Sequence, residues 1–131
     1  MIHTMIAGAA DPDAARTVVH RSEAAIGFPD QCAFCSVMLA VPAAMACADV
    51  GDIQDAERHL QVAEKSAAMW EGTAWQAALL EARAHLSFAQ GREQDAARLL
   101  SEAAELFEES SQPLDAARCR ATRLGAGSQI A

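Results

Sequence analysis

Apolar residues recur at steps of three and four along most of this chain, which sets them on one face of successive α-helices. One stripe runs through Ile53, Ala56, Leu60, Ala63, Ala67 and Trp70, a second through Trp75, Leu79, Ala82, Leu86 and Ala89, and a third through Ala96, Leu100, Ala103 and Phe107. Start and stop signals bracket them. Asp11-Pro12, an N-cap residue followed by proline at the first helical position, opens a helix that runs to about Ile26, and Gly27-Phe28-Pro29-Asp30 breaks it. A second helix covers roughly Gln31 to Val50. Within it, Pro42 removes a backbone hydrogen bond and predicts a kink or two shorter pieces, the kink fitting the apolar character on both sides. Asp52 caps the third helix, Glu71-Gly72 turns the chain, and Thr73 with Gln76 forms a capping box for the fourth. The fifth follows Gly91 and ends around Ser110-Ser111. Gln112-Pro113 opens the sixth, which fades by Leu124-Gly125. Residues 1–124 therefore read as one helical domain and 125–131 as a flexible tail.

Composition narrows the class further. The 131 residues suffice for one domain, and 32 of them are alanine against 15 Val, Ile and Thr together and no Tyr. Strand-formers are too scarce for an all-β domain, and a hydrophobic share of 52% is too high for a disordered chain. The net charge of −8 argues against nucleic acid, which needs Lys and Arg to displace condensed counterions. Arg118, Arg120 and Arg123 are a local exception, read as favourable charge at the end of the last helix. No apolar run reaches the ~18 residues of a membrane-spanning helix. The start, Met1 to Ile6, lacks the basic and long apolar regions of a signal peptide, so the expected compartment is the cytoplasm, with the four cysteines as thiols.

Four segments share one pattern: Asp13-Ala14-Ala15-Arg16, Asp55-Ala56-Glu57-Arg58, Asp95-Ala96-Ala97-Arg98 and Asp115-Ala116-Ala117-Arg118. The first three are 42 and 40 residues apart and the fourth follows 20 later, while Gly51 and Gly91 precede the second and third copies by the same four residues. Aspartate at such a place favours a helix start, arginine three residues on adds a weak i,i+3 attraction, and alanine lets two helices approach closely. Self-similarity at this period predicts stacked antiparallel helix hairpins, each burying its apolar face on its neighbours. The expected fold is thus all-α: five to six helices in a short array.

The pattern Gly-x4-Ala-x3-Leu-x2-Ala at Gly51 and Gly91 resembles the second-helix half of a tetratricopeptide repeat, which implies an α-α superhelix. Three further stretches, Cys32-Ala33-Phe34-Cys35, Met69-Trp70-Glu71-Gly72 and Gln112-Pro113-Leu114-Asp115-Ala116-Ala117-Arg118-Cys119, are similar to the C-terminal helical-repeat region of actinobacterial LuxR-type and adenylate-cyclase-like ATPase transcriptional regulators. The resemblance covers about residues 30–123. It implies an interaction or sensor scaffold of the kind that stands beside an ATPase and often a DNA-binding domain in those proteins. Within these 131 residues there is neither a Gly-x4-Gly-Lys-Ser/Thr phosphate loop nor room for a helix-turn-helix module.

Cys32-x2-Cys35 is the most chemically suggestive spacing, since such a pair can lower a thiol pKa or supply two metal ligands. A zinc site would need two more from Cys47, Cys119, His20 and His3, and no second Cys-x2-Cys or His-x3-His supplies them; packing between helices is the plainer account. His3, His20, His59 and His85 form no His-Glu-x2-His, Ser36 and Ser87 lack a nucleophile elbow, and Glu108-Glu109 belong to an exposed acidic helix end. No catalytic role and no cofactor are expected.

A groove is the better expectation. The first helix of each hairpin would line the concave side, pointing Met38, Val41 and Met45 inward from the second helix, Glu81, His85 and Phe88 from the fourth, and Arg118 from the sixth. Methionine-rich apolar walls with a few polar groups suit an amphipathic helix or extended peptide, although the same residues read equally well as core. The expected function is a non-catalytic protein- or peptide-binding scaffold. The alternatives are a metal- or thiol-dependent sensor at Cys32 and Cys35, or a small-molecule effector pocket lined by Trp70, Trp75 and Phe88. Leu114, Cys119 and Leu124 on a last helix without a following partner, with Ile2, Met5 and Ile6, predict a homodimer.

Overall fold

The computed structural model describes residues 11–26 and 33–129; of residues 26, 33–35 and 123–129 only the backbone is described. Six α-helices follow one another: α1 (Pro12–Ile26), α2 (Ala33–Asp49), α3 (Ile53–Glu64), α4 (Ala74–Ala89), α5 (Glu93–Glu109) and α6 (Pro113–Gln129). Among the described residues there is no strand, and no helix is long and apolar enough to cross a membrane. The capping signals act as the sequence suggests. Asp11 Oδ1 accepts from the Ala14 N–H at 2.8 Å, and Asp52 Oδ1 from the Asp55 N–H at 3.2 Å. Thr73 Oγ1 accepts from the Trp75 N–H, while Gln76 Oε1 reaches past Thr73 to the Gly72 N–H at 2.7 Å. Pro42 sits inside an unbroken α2, which excludes two separate pieces.

The connections repeat in hydrogen-bond detail. After α2, the Gly51 N–H donates to the Ala48 carbonyl and the Asp52 N–H to that of Cys47; after α4, Gly91 and Arg92 donate to Phe88 and Ser87; after α5, Ser111 and Gln112 donate to Glu108 and Phe107. Each is a Schellman closure with its pivot in the left-handed region, at φ +80° for Gly51, +77° for Gly91 and +59° for Ser111. The carbonyl of the residue after each pivot accepts the first N–H of the next helix, from Ala56, Ala96 and Ala116, which puts these three alanines at one helical position, all fully buried. The first copy departs from this register. In α1 the cap is Asp11, and the Ala15 N–H donates to its carbonyl, so Ala15 rather than Ala14 matches Ala56. The Asp-Ala-x-Arg string of α1 is shifted by one residue against the others.

Each helix finds its cover on the helices beside it in sequence. One apolar cluster joins Ala15 and Val19 of α1 to Leu39, Ala43 and Ala46 of α2. A second joins Val37, Val41, Ala44 and Cys47 of α2 to Ala56, Leu60 and Ala63 of α3 and to Leu79, Ala82 and Leu86 of α4. A third joins Ala77 and Ala84 of α4 to Ala96, Leu100, Ala103 and Phe107 of α5 and to Ala116 and Cys119 of α6. Helices α2 and α4 thus bury two faces each, and α2 also packs directly on α4, as first helices of adjoining hairpins do. Alanine at the contacts brings the backbones close, so dispersion across well-fitted small side chains replaces the burial of a few large ones.

Three sequence expectations require correction. The third helix does not continue to Trp70: it ends at Glu64, and Ala67–Trp70 form a short 3₁₀ turn in which Trp70 Nε1 donates to Ser66 Oγ at 3.0 Å. Helix α6 does not fade at Leu124 but continues through residues 125–129, so these do not begin as a loose tail. Arg118 and Arg120 consequently lie in the first half of α6, and cross-helix carboxylates rather than a helix end balance them: Glu81 for Arg118 and Glu108 for Arg120. Met1 to Ile6, His3, the break at residues 27–30 and Cys32 lie outside the described residues, and Cys35 is placed on α2 by its backbone alone.

Candidate functional site: a groove across the first helices

A groove of about 590 Å³ opens on the side where α2, α4 and α6 stand in succession. Val41, Pro42, Met45 and Ala46 of α2 and Ala74, Trp75 and Ala78 of α4 supply most of its lining, with the Phe107 ring of α5 behind them. The first turn of α1, through Asp11, Pro12 and Ala15, closes the α2 side; Asp115 and Arg118 of α6 close the α4 side. Asp49, Glu81 and His85 complete it. Apolar walls of this size with a few polar groups are the usual character of a binding site.

Five of the seven residues expected to line a groove do so together: Val41, Met45, Glu81, His85 and Arg118. Met38 and Phe88 do not. Met38 packs against the cluster shared by α2, α3 and α4, and Phe88 against that shared by α4, α5 and α6, so both act as partly buried core. Sequence reasoning missed Asp11, Asp49, Trp75, Asp115 and Phe107 as groove residues. Of Trp70, Trp75 and Phe88, the three residues of the alternative effector pocket, only Trp75 reaches the groove.

The polar groups are held in pairs across the array. Glu81, 1% exposed, accepts from Arg118 Nε on one carboxylate oxygen and from Nη2 on the other, both at 2.8 Å. This fork-to-fork geometry fixes both side chains, and Arg118 also reaches Asp115 at 2.5 Å. The guanidinium carbon stands 5.9 Å from the Phe107 ring centre. The Glu81 hydrogen bonds hold the Arg118 pKa above its ordinary value even against burial, so its charge is permanent. At the other end, His85 Nδ1 lies 2.7 Å from Asp49 Oδ1. All of these lie beside apolar walls and none stands next to a Ser, Thr or Cys nucleophile in the groove lining.

The remaining candidates lie elsewhere. Cys47 and Cys119 are fully buried in different clusters, and burial pushes their thiols up to about 11 and about 12, away from the thiolate that a metal or a redox partner needs. Among the described residues no group of three His, Cys, Asp or Glu side chains could hold a metal ion. His20 and His59 instead flank Glu23, with His59 Nε2 3.0 Å from its carboxylate and Arg58 Nη2 at 2.9 Å, tying α1 to α3. A smaller cleft carries Arg83, Arg92 and Arg98, each already beside a carboxylate.

Comparison with known proteins adds no relative to these observations: no family model matches the chain, and neither a curated protein nor a solved structure does.

Proposed function

We propose that this chain is a non-catalytic helical-repeat scaffold that binds a protein or peptide segment in the groove across α2, α4 and α6. One observation carries the reading: first helices of adjoining hairpins present Met45, Ala74, Trp75 and Ala78 as partly exposed apolar surface, flanked by charged groups already locked in place. Side chains fixed before binding lose little freedom on contact, which lowers the cost of recognising a partner. The resemblance to helical-repeat regions of transcriptional regulators fits a signalling role for such a scaffold, in the cytoplasm, where thiols stay reduced.

The test is a helical-peptide display library selected on the chain and on its Met45→Arg variant, with circular dichroism verifying that the variant folds. Met45 is half-buried and lines the groove. Selected peptides that lose binding to the variant support the reading; peptides that bind both alike contradict it.

The same proposal includes a homodimer. Its support is Leu114, a large apolar side chain 85% exposed at the start of α6. Light scattering after size exclusion at tens of micromolar tests this, with twice the 13.8 kDa chain mass expected and a clean monomer contradicting it.

A further inference from the structure

We infer that the groove selects a cationic amphipathic helix, one whose apolar face meets α2 and α4 and whose lysines or arginines meet an acidic rim; this rests on the groove reading above and names its partner class. Among the described residues of the lining, Asp11, Asp49, Glu81 and Asp115 stand against Arg118 as the one permanent cation. Glu81 is out of solvent and shares Arg118 with Asp115, so one guanidinium faces two carboxylates and, with Asp11 and Asp49 added, the rim keeps a surplus of negative charge. Helix starts account for Asp11 and Asp115, where the dipole favours an anion. Asp49 has no such support. It is the last residue of α2, where the dipole disfavours negative charge, and no basic residue lies in that last turn. Its carboxylate is nonetheless held at the groove mouth by His85, with 43% of the side chain in solvent.

Size agrees with a helix. One turn of helix with its side chains, about 10–12 Å across and 5.4 Å in pitch, fills roughly 400–600 Å³, which matches a groove of about 590 Å³.

The probe is a fluorescein-labelled 18-residue peptide of leucines and lysines in helical amphipathic order, followed by anisotropy against the whole chain. An identical design with glutamate for lysine, and spermine as competitor, complete the set. The leucine–lysine peptide is expected to bind, to weaken about tenfold in Asp49→Asn/Asp115→Asn, and to weaken less than twofold in Glu105→Gln/Glu109→Gln, which changes net charge equally outside the groove. Equal weakening by both double variants, or equal binding of the glutamate peptide, overturns the inference. So does displacement by spermine at the affinity of the peptide, which would assign the rim to small polycations. If the glutamate peptide binds and Met45→Arg abolishes that binding, the groove stands and only its charge preference falls. If Met45→Arg affects no peptide, the groove reading falls with it.

Discussion

Arg118 holds Glu81 with two parallel 2.8 Å hydrogen bonds across 37 positions of sequence, joining the first helix of one hairpin to the helix that follows the second hairpin. The pair is asymmetric: the Glu81 side chain is 2% exposed and that of Arg118 is 50% exposed. Removing the arginine strands a buried carboxylate, a change that costs about 3–5 kcal/mol where both partners are buried. Water reaching in from the groove reduces this, so Arg118→Ala should cost about 1–3 kcal/mol. Urea melts should show this loss, with Arg118→Lys between the two because a point charge cannot satisfy both oxygens.

The ring of His59 is 3% exposed, and burial lowers its pKa below 6.5 despite the opposing pull of Glu23; Arg58 and His20 also oppose the charged form, and Asp55 favours it. Between the folded and unfolded values the unfolded chain takes up a proton that the folded chain refuses. The stability associated with the neutral ring is therefore complete above about pH 6.5 and erodes as pH falls toward the folded value. His59→Gln should flatten that part of the acid limb of a stability-versus-pH curve measured by urea unfolding.

Burial predicts silent thiols at Cys47 and Cys119. With pKa values of about 11 and about 12, the thiolate fraction at pH 8 falls roughly two orders of magnitude or more below that of a free cysteine. Iodoacetamide followed by peptide mass spectrometry should leave both unmodified in the folded chain and modify both in urea.

Left-handed pivots divide the turns. A Cβ on Gly91 meets nothing within 4 Å, yet φ is +77°, so Gly91→Ala should cost about 1–2 kcal/mol through backbone conformation alone. Ser111 occupies the corresponding place with φ +59°. Ser111→Gly should therefore raise stability by about 0.5–1 kcal/mol, seen as a higher melting temperature.

Helix starts were legible because single residues set them: Asp11, Asp52 and Thr73 cap where their side-chain oxygens predict. Periodicity also revealed the stripes of α3, α4 and α5. It could not reveal where α3 stops, because Ala67 and Trp70 keep the helical spacing after the chain has left the helix, and the Trp70–Ser66 bond belongs to a 3₁₀ turn. It identified five groove residues but not the acidic rim, since Asp11, Asp49 and Asp115 read as ordinary helix-end acids until the helices are stacked. One unused signal was available. Arg16 with Asp52, Arg58 with Glu23, His85 with Asp49 and Arg118 with Glu81 are all separated by 35–37 residues, close to the hairpin period. Opposite charges at that spacing mark neighbouring helices of a stacked array.

The stacking of first helices around one groove is tested most directly by a double-mutant cycle on Glu81→Ala and Arg118→Ala, with unfolding free energies from urea titration. The stacked array predicts a coupling of about 1–3 kcal/mol between two residues so distant in sequence. A coupling of about zero would mean that the Glu81–Arg118 bridge does not tie α6 to α4, and the groove would lose the support of one of its walls.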